Sequence, residues 1–129
     1  KNGTIDAIQS DHSPQDEDNK RLPFAHAKEG IIGLETLLPL SLELFHNKTL
    51  SLIDVIKKLT KNPASILNLN HGTLKKGAKA DILIFDPNKP FVIDVKKFRS
   101  TSKNSPFNKK PSQGKVIKTI CNGEVSYAA

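Results

Sequence analysis

Methionine and tryptophan are both absent from the 129 residues, and cysteine and tyrosine occur once each. A single cysteine, Cys121, excludes an internal disulfide and fits a reducing compartment, so a cytoplasmic location is expected. The missing methionine points to a piece of a longer chain, cut near Lys1, because core-forming chains of this size normally contain a few and translation starts with one. Long apolar runs are also missing. None approaches the roughly 20 residues that cross a bilayer, so no membrane partner is expected. The opening K-N-G-T-I-D has no signal-peptide pattern, which makes the glycosylation-like triplets Asn2-Gly3-Thr4 and Asn47-Lys48-Thr49 chance matches. There is no G-x-x-x-x-G-K, G-x-G-x-x-G, C-x-x-C or H-x-x-x-H, so the common nucleotide-binding, dithiol and paired-histidine metal motifs are excluded.

What is present is basic, with a formal net charge of +7. Residues 1–47 hold four basic and eight acidic side chains, whereas residues 48–129 hold 16 and five. A basic half invites a nucleic-acid reading. The lysines are scattered, however, and aromatic stacking platforms are scarce, so a solvated surface is expected and no nucleic-acid partner.

The periodicity predicts a mixed chain. Ile5 to Ile8 reads as a short buried strand, and Ser10 to Leu22 as a polar loop continued by Pro23 to Ala27. Leu34, Leu37, Leu38, Leu42 and Phe45 make one apolar face of a helix from about Leu34 to Phe45, with Pro39 kinking it or marking its first turn. Ser51 is the expected cap of a helix over Leu52 to Thr60, and Pro63 opens a short helix over Ala64 to Leu67. The character then changes. Ile82 to Phe85, Phe91 to Val95, Val116 to Cys121 and Glu124 to Tyr127 read as strands, the last two joined through the hairpin signal Asn122-Gly123. Ser100 to Gly114 is expected to be irregular. The first strand has no partner in this layout and would need a sheet encoded upstream.

Asp11 ends that first apolar run. Residue pattern alone leaves it open between a carboxylate on the catalytic face of a βα-barrel and the cap of a turn. His12 reads as packing or solvent-facing, and His26, His46 and His71 as surface histidines without metal-ligand spacing. Cys121 reads as a small buried or half-buried thiol at a hairpin edge.

Six stretches taken in order carry a resemblance: I-D-A-I-Q-S-D-H-S-P, G-I-I-G-L-E-T-L-L-P-L, N-P-A-S-I-L, G-T-L-K-K-G-A-K-A-D-I-L-I-F-D-P, S-K-N-S-P-F and G-K-V-I-K-T-I-C-N-G-E-V. Together they resemble the C-terminal third of a dihydroorotase of the amidohydrolase superfamily. The pairing of G-L-E-T-L-L-P-L with S-K-N-S-P-F separates that family from hydantoinases and allantoinases. The resemblance implies an α/β fold: the last strand and helices of a (β/α)8 metal-dependent hydrolase barrel over residues 1–71, and part of a flanking β-sandwich over residues 72–129. It implies two zinc ions in the full-length parent, with Asp11 touching one of them. Asp11 would accept the proton of the attacking hydroxide and pass it to the departing amide nitrogen. The reaction implied interconverts dihydroorotate and N-carbamoyl-aspartate in pyrimidine synthesis.

The loop from Ser13 to Gly30 resembles the family's substrate-covering segment, with Gln15, Glu29 and Gly30 as substrate-binding positions. Gln15 departs from the histidine found there in many members; it keeps a hydrogen-bond donor but loses the charge. The other metal ligands, a His-x-His pair, a carboxylated lysine and two more histidines, would lie upstream of Lys1. The isolated chain is therefore expected to be inactive, unstable or aggregation-prone. A homo-oligomer or an aspartate transcarbamoylase partner fits the family. The alternatives are a non-catalytic dihydroorotase-like partner of that transcarbamoylase, or a hydantoinase- or allantoinase-type hydrolase.

Overall fold

Leucine spacing and one proline decide where the first long helix begins. In the computed structural model, which describes residues 2–129, helix α2 runs Leu37–His46, after a five-residue helix α1 at Glu17–Arg21. The expected start at Leu34 is three residues early. Gly33 to Thr36 form a turn instead, with Leu37 N–H donating to the Gly33 carbonyl at 2.9 Å. Pro39 thereby falls in the first turn, where backbone donors have no intrahelical acceptor and a missing N–H costs nothing. Leu42, at the centre of the apolar face, is fully buried.

Helix α3 (Leu52–Leu59) starts as expected at Ser51, whose side chain accepts from the Asp54 N–H. Helix α4 (Lys61–Ile66) follows after one residue, with Pro63 in its first turn. Ile5 to Ile8 corrects an expectation. This stretch pairs with no strand among the described residues, and Ile5 is 64% exposed. An extended segment needs neighbours to form a ladder. Here its polar groups go to the helices instead: Ile8 N–H donates to the Lys58 carbonyl at 3.0 Å, Asn62 Nδ2 to the Asp6 carbonyl at 2.8 Å, and Lys58 Nζ to the Ile5 carbonyl.

The C-terminal half forms an antiparallel sheet of β1 (Ile82–Val92), β2 (Pro111–Cys121) and β3 (Glu124–Ala128), in that order. The two expected strands at Ile82–Phe85 and Phe91–Val95 are one element, continued across irregular pairing between Asp86 and Pro90. β1 ends at Val92, although Ile93 N–H still donates to the Lys110 carbonyl and its carbonyl accepts from Lys109 N–H, and Val95 opens a 3-10 turn. The irregular stretch ends at Lys110, because Pro111 to Gln113 already pair with β1 and Gly114 lies within β2. Asn122 (φ 50°) and Gly123 (φ 87°) make the two-residue hairpin turn, whose twist matches the flanking strands. Cys121 is exposed, contrary to expectation.

Helix α2 lies on β2 so closely that a Cβ on Gly114 would overlap Leu42 Cδ1. Lys110 Nζ to Glu43 Oε1 at 3.0 Å and His46 Nε2 to the Pro87 carbonyl at 3.1 Å tie the same helix to the start of β2 and to the irregular middle of β1. His46 is therefore half-buried rather than a surface residue. The buried apolar core is small: Ile32, Leu42, Val55, Ala64, Ile93 and Val95. Among the described residues, no helix is long and apolar enough to cross a membrane.

Candidate active-site loop

The extended segment from Ile5 ends at Asp11, which is exposed and adopts a left-handed conformation, φ 45°. Aspartate is among the few side chains that tolerate this region. The reversal sends the chain into His12 and Ser13, which lie alongside Ile31 in a parallel bridge. Ser13 N–H donates to the Ile31 carbonyl at 2.8 Å, and Gly33 N–H donates to His12 Nδ1 at 3.1 Å.

Two glycines permit this approach. A Cβ on Gly33 would stand 2.5 Å from the Ser10 carbonyl oxygen. One on Gly30 would overlap the Ser13 side chain, and Gly30 also has φ 91°, which L side chains rarely adopt. Ser10 to Ser13 and Gly30 to Gly33 are thus two ends of one loop pressed together.

The loop leaves this neck at Pro14, forms α1, and returns through Pro23 to Glu29. Helix α1 lies inside the stretch expected to be plain loop. Its signal was in the charges: Asp16, Glu17 and Asp18 precede Lys20 and Arg21, matching the helix dipole at both ends. Arg21 pairs with Glu17 one turn back. Lys20 Nζ donates to the carbonyls of Lys28 at 2.7 Å and Gly30 at 3.1 Å, closing the loop across its middle.

Of the expected substrate-binding residues, Gln15 is half-buried, with its N–H bonded to Asn104 Oδ1 at 3.2 Å. Gly30 is half-buried and presents its carbonyl to Lys20 and Asn104, while Glu29 is exposed. Gln15 and Gly30 therefore meet at one place, around Asn104, whereas Asp11 lies at the end of the extended segment and takes no part in those contacts. Asn104, Lys20 and Gly33 were not singled out from sequence. Asn104 stands within S-K-N-S-P-F, but the partners that give it a role are 74 to 91 residues away. An open cleft of about 790 Å³ adjoins the neck, lined in part by Gln15, Lys20, Ile31, Lys96 and Asn104.

As a metal site this loop offers one ligand. Asp11 is an exposed carboxylate at the end of a rigidly directed segment. His12 is committed: its Nδ1 accepts the Gly33 N–H, so the ring proton sits on Nε2 and neither nitrogen has a lone pair to offer. Among the described residues, no three His, Cys, Asp or Glu side chains converge on one point. The donor chemistry fits a contribution to a metal centre, not a complete one.

Residues 1–126 match the Amidohydrolase family. The chain is 50% identical over 129 residues to a dihydroorotase from Ehrlichia canis (strain Jake), covering all of this chain and 29% of that protein. It is 50% identical over 127 residues to a dihydroorotase from Anaplasma phagocytophilum (strain HZ), covering 98% of this chain and 28% of that one. In fold it is similar to dihydropyrimidinase from Brevibacillus agri NCHU1002, with a TM-score of 0.92 at 24% identity over 99% of this chain and 29% of that chain. It is also similar to L-hydantoinase from Arthrobacter aurescens, with a TM-score of 0.88 at 34% identity over 98% and 30% of the two chains. The chain thus spans less than a third of the length of each of these proteins.

Proposed function

The chain belongs to the amidohydrolase family, and from that premise we propose that it is the C-terminal segment of a dihydroorotase. The observation that carries this reading is the 50% identity to dihydroorotases along the whole chain, against 34% to the hydantoinase. The reaction is the reversible hydrolysis of dihydroorotate to N-carbamoyl-aspartate. Residues 1–71 belong to the barrel and residues 72–129 to the flanking sandwich.

Asp11 is the catalytic carboxylate and one metal ligand. When bound, two zinc ions would supply hydroxide near neutral pH and polarise the ring carbonyl. Asp11 takes the proton released as the oxygen attacks and returns it to the amide nitrogen as the C–N bond breaks. Its exposure at the end of the extended segment supports that role. Gln15 reaches the substrate as an uncharged donor, and the backbone at Glu29 and Gly30 meets the ring. A glycine at position 30 supports close backbone approach. The remaining metal ligands would come from a region upstream of this chain, so this chain has no turnover by itself.

The test uses the parent protein with that upstream region and zinc supplied. Dihydroorotate, hydantoin and allantoin are offered in turn. The expected outcome is consumption of dihydroorotate and not of the other two. Preference for hydantoin or allantoin would reassign the substrate.

A further inference from the structure

The Asn104 side chain joins both ends of the loop at once. Nδ2 donates to the carbonyls of Ser13 at 3.1 Å and Gly30 at 3.3 Å, and Oδ1 accepts the Gln15 N–H at 3.2 Å. The Asn104 carbonyl accepts the Ile32 N–H at 3.2 Å. Both amide hydrogens and the amide oxygen are thus engaged. The reversed orientation would turn an oxygen toward two carbonyls, so only one rotamer satisfies the site. All of these bonds are partly withdrawn from water, which strengthens each of them.

Apart from Asn104, the loop between the neck residues is held by its own bonds, Lys20 Nζ to the Lys28 and Gly30 carbonyls and Lys28 N–H to the Asn19 carbonyl at 3.1 Å. Helix α1 has five residues and buries none of them. Asn104 itself is firmly based. Lys103 Nζ donates to the Phe98 and Ser100 carbonyls at 2.7 Å each, and Ser105 N–H donates to the Lys103 carbonyl at 2.8 Å.

We infer that Asn104 is a positioning residue that clamps the neck of the 13–30 loop and so sets Gln15 and Gly30 at the spacing a bound substrate requires. It touches no reacting atom; it acts through the two residues it holds. The inference deepens the proposed function and rests on that reading of the loop.

Asn104→Asp tests it in the zinc-loaded parent protein. The substitution keeps the shape and the acceptor for Gln15 but removes both donors. Trypsin cuts after Lys20, Arg21 and Lys28 report on the loop, and steady-state kinetics report on the substrate. Ser51→Ala, which weakens α3 away from the loop, is the control for general destabilisation. The expected result is cleavage about tenfold faster and KM raised about tenfold, with kcat within about threefold of wild type, as the loss of one or two net hydrogen bonds dictates.

Cleavage and KM both matching those of Ser51→Ala would overturn the inference. So would faster cleavage with KM unchanged, since the clamp would then not position substrate. If Asn104→Asp does not fold, Asn104→Ser is read by the same criteria. Absence of turnover in the wild type would overturn the dihydroorotase reading and with it the substrate half of this one. The cleavage rates without substrate would still decide whether Asn104 clamps the loop.

Discussion

Gly33 keeps an ordinary backbone conformation at the loop neck but has no room for a side chain. Its missing Cβ would meet a backbone oxygen, which cannot rotate away as a side chain could. Gly33→Ala is therefore expected to destabilise the protein by about 1–3 kcal/mol, the usual cost of overpacking. It should also push Ser10, and Asp11 behind it, out of place. Thermal unfolding and kcat of the parent protein check the two effects, and a stable variant with unchanged kcat would refute the link. The pattern of an apolar run ending in a carboxylate drew notice to Asp11 but left it open between a catalytic group and a turn cap, and resemblance supplied its proposed role. The importance of Gly33 was not legible in sequence, because the atom it avoids is 23 residues away and nothing local marks the contact. Gln15 and Gly30 were named through resemblance, while Asn104, which brings them together, was only part of a quoted motif.

Local chemistry decided most elements, and these were the ones sequence could announce. Ser51 caps α3 through its neighbours, with Ser51 Oγ accepting from the Asp54 N–H at 3.2 Å and donating to Asp54 Oδ2 at 2.6 Å. Loss of this cap in Ser51→Ala should cost about 1 kcal/mol, read from chemical or thermal unfolding. The same pair gives a pH dependence. The Ser51 hydroxyl, helped by Lys57, holds the Asp54 carboxyl below the usual carboxylate range. A depressed folded-state pKa stabilises above the unfolded value of about 3.9 and loses that contribution as pH falls through the folded value. The stability difference between wild type and Ser51→Ala should therefore shrink on acidification below pH 4 and stay constant from there to neutrality. A difference that grows with acid would contradict the assignment. The hairpin at Asn122-Gly123 was likewise local and legible. Ile5 to Ile8 is extended but unpaired among the described residues, as expected of a strand with no partner in this layout; its burial was misjudged, because burial needs those partners. The joining of two expected strands into β1 was missed because Pro87 and Pro90 mark a break in sequence, while the ladder resumes at Pro90 itself, opposite Gln113.

At the scale of the molecule, the fold is the C-terminal end of an α/β amidohydrolase barrel with part of its flanking sheet, and its surface carries that incompleteness. Ile5, Leu34, Leu74, Leu83, Ile84, Ile117 and Val125 are all at least 44% exposed. Several lie on the three-stranded sheet, where a sandwich would cover them. The sequence pattern conveyed this, since one strand without a partner cannot close a layer.

The central claim is that Asp11 carries the proton in a site that only the longer protein completes. The most direct measurement follows the ultraviolet absorbance of dihydroorotate with the zinc-loaded parent protein, wild type beside Asp11→Asn. The account predicts turnover by the wild type and loss of about 100-fold or more in kcat for the folded variant, the scale of general acid–base catalysis. Wild-type rates in Asp11→Asn would contradict it.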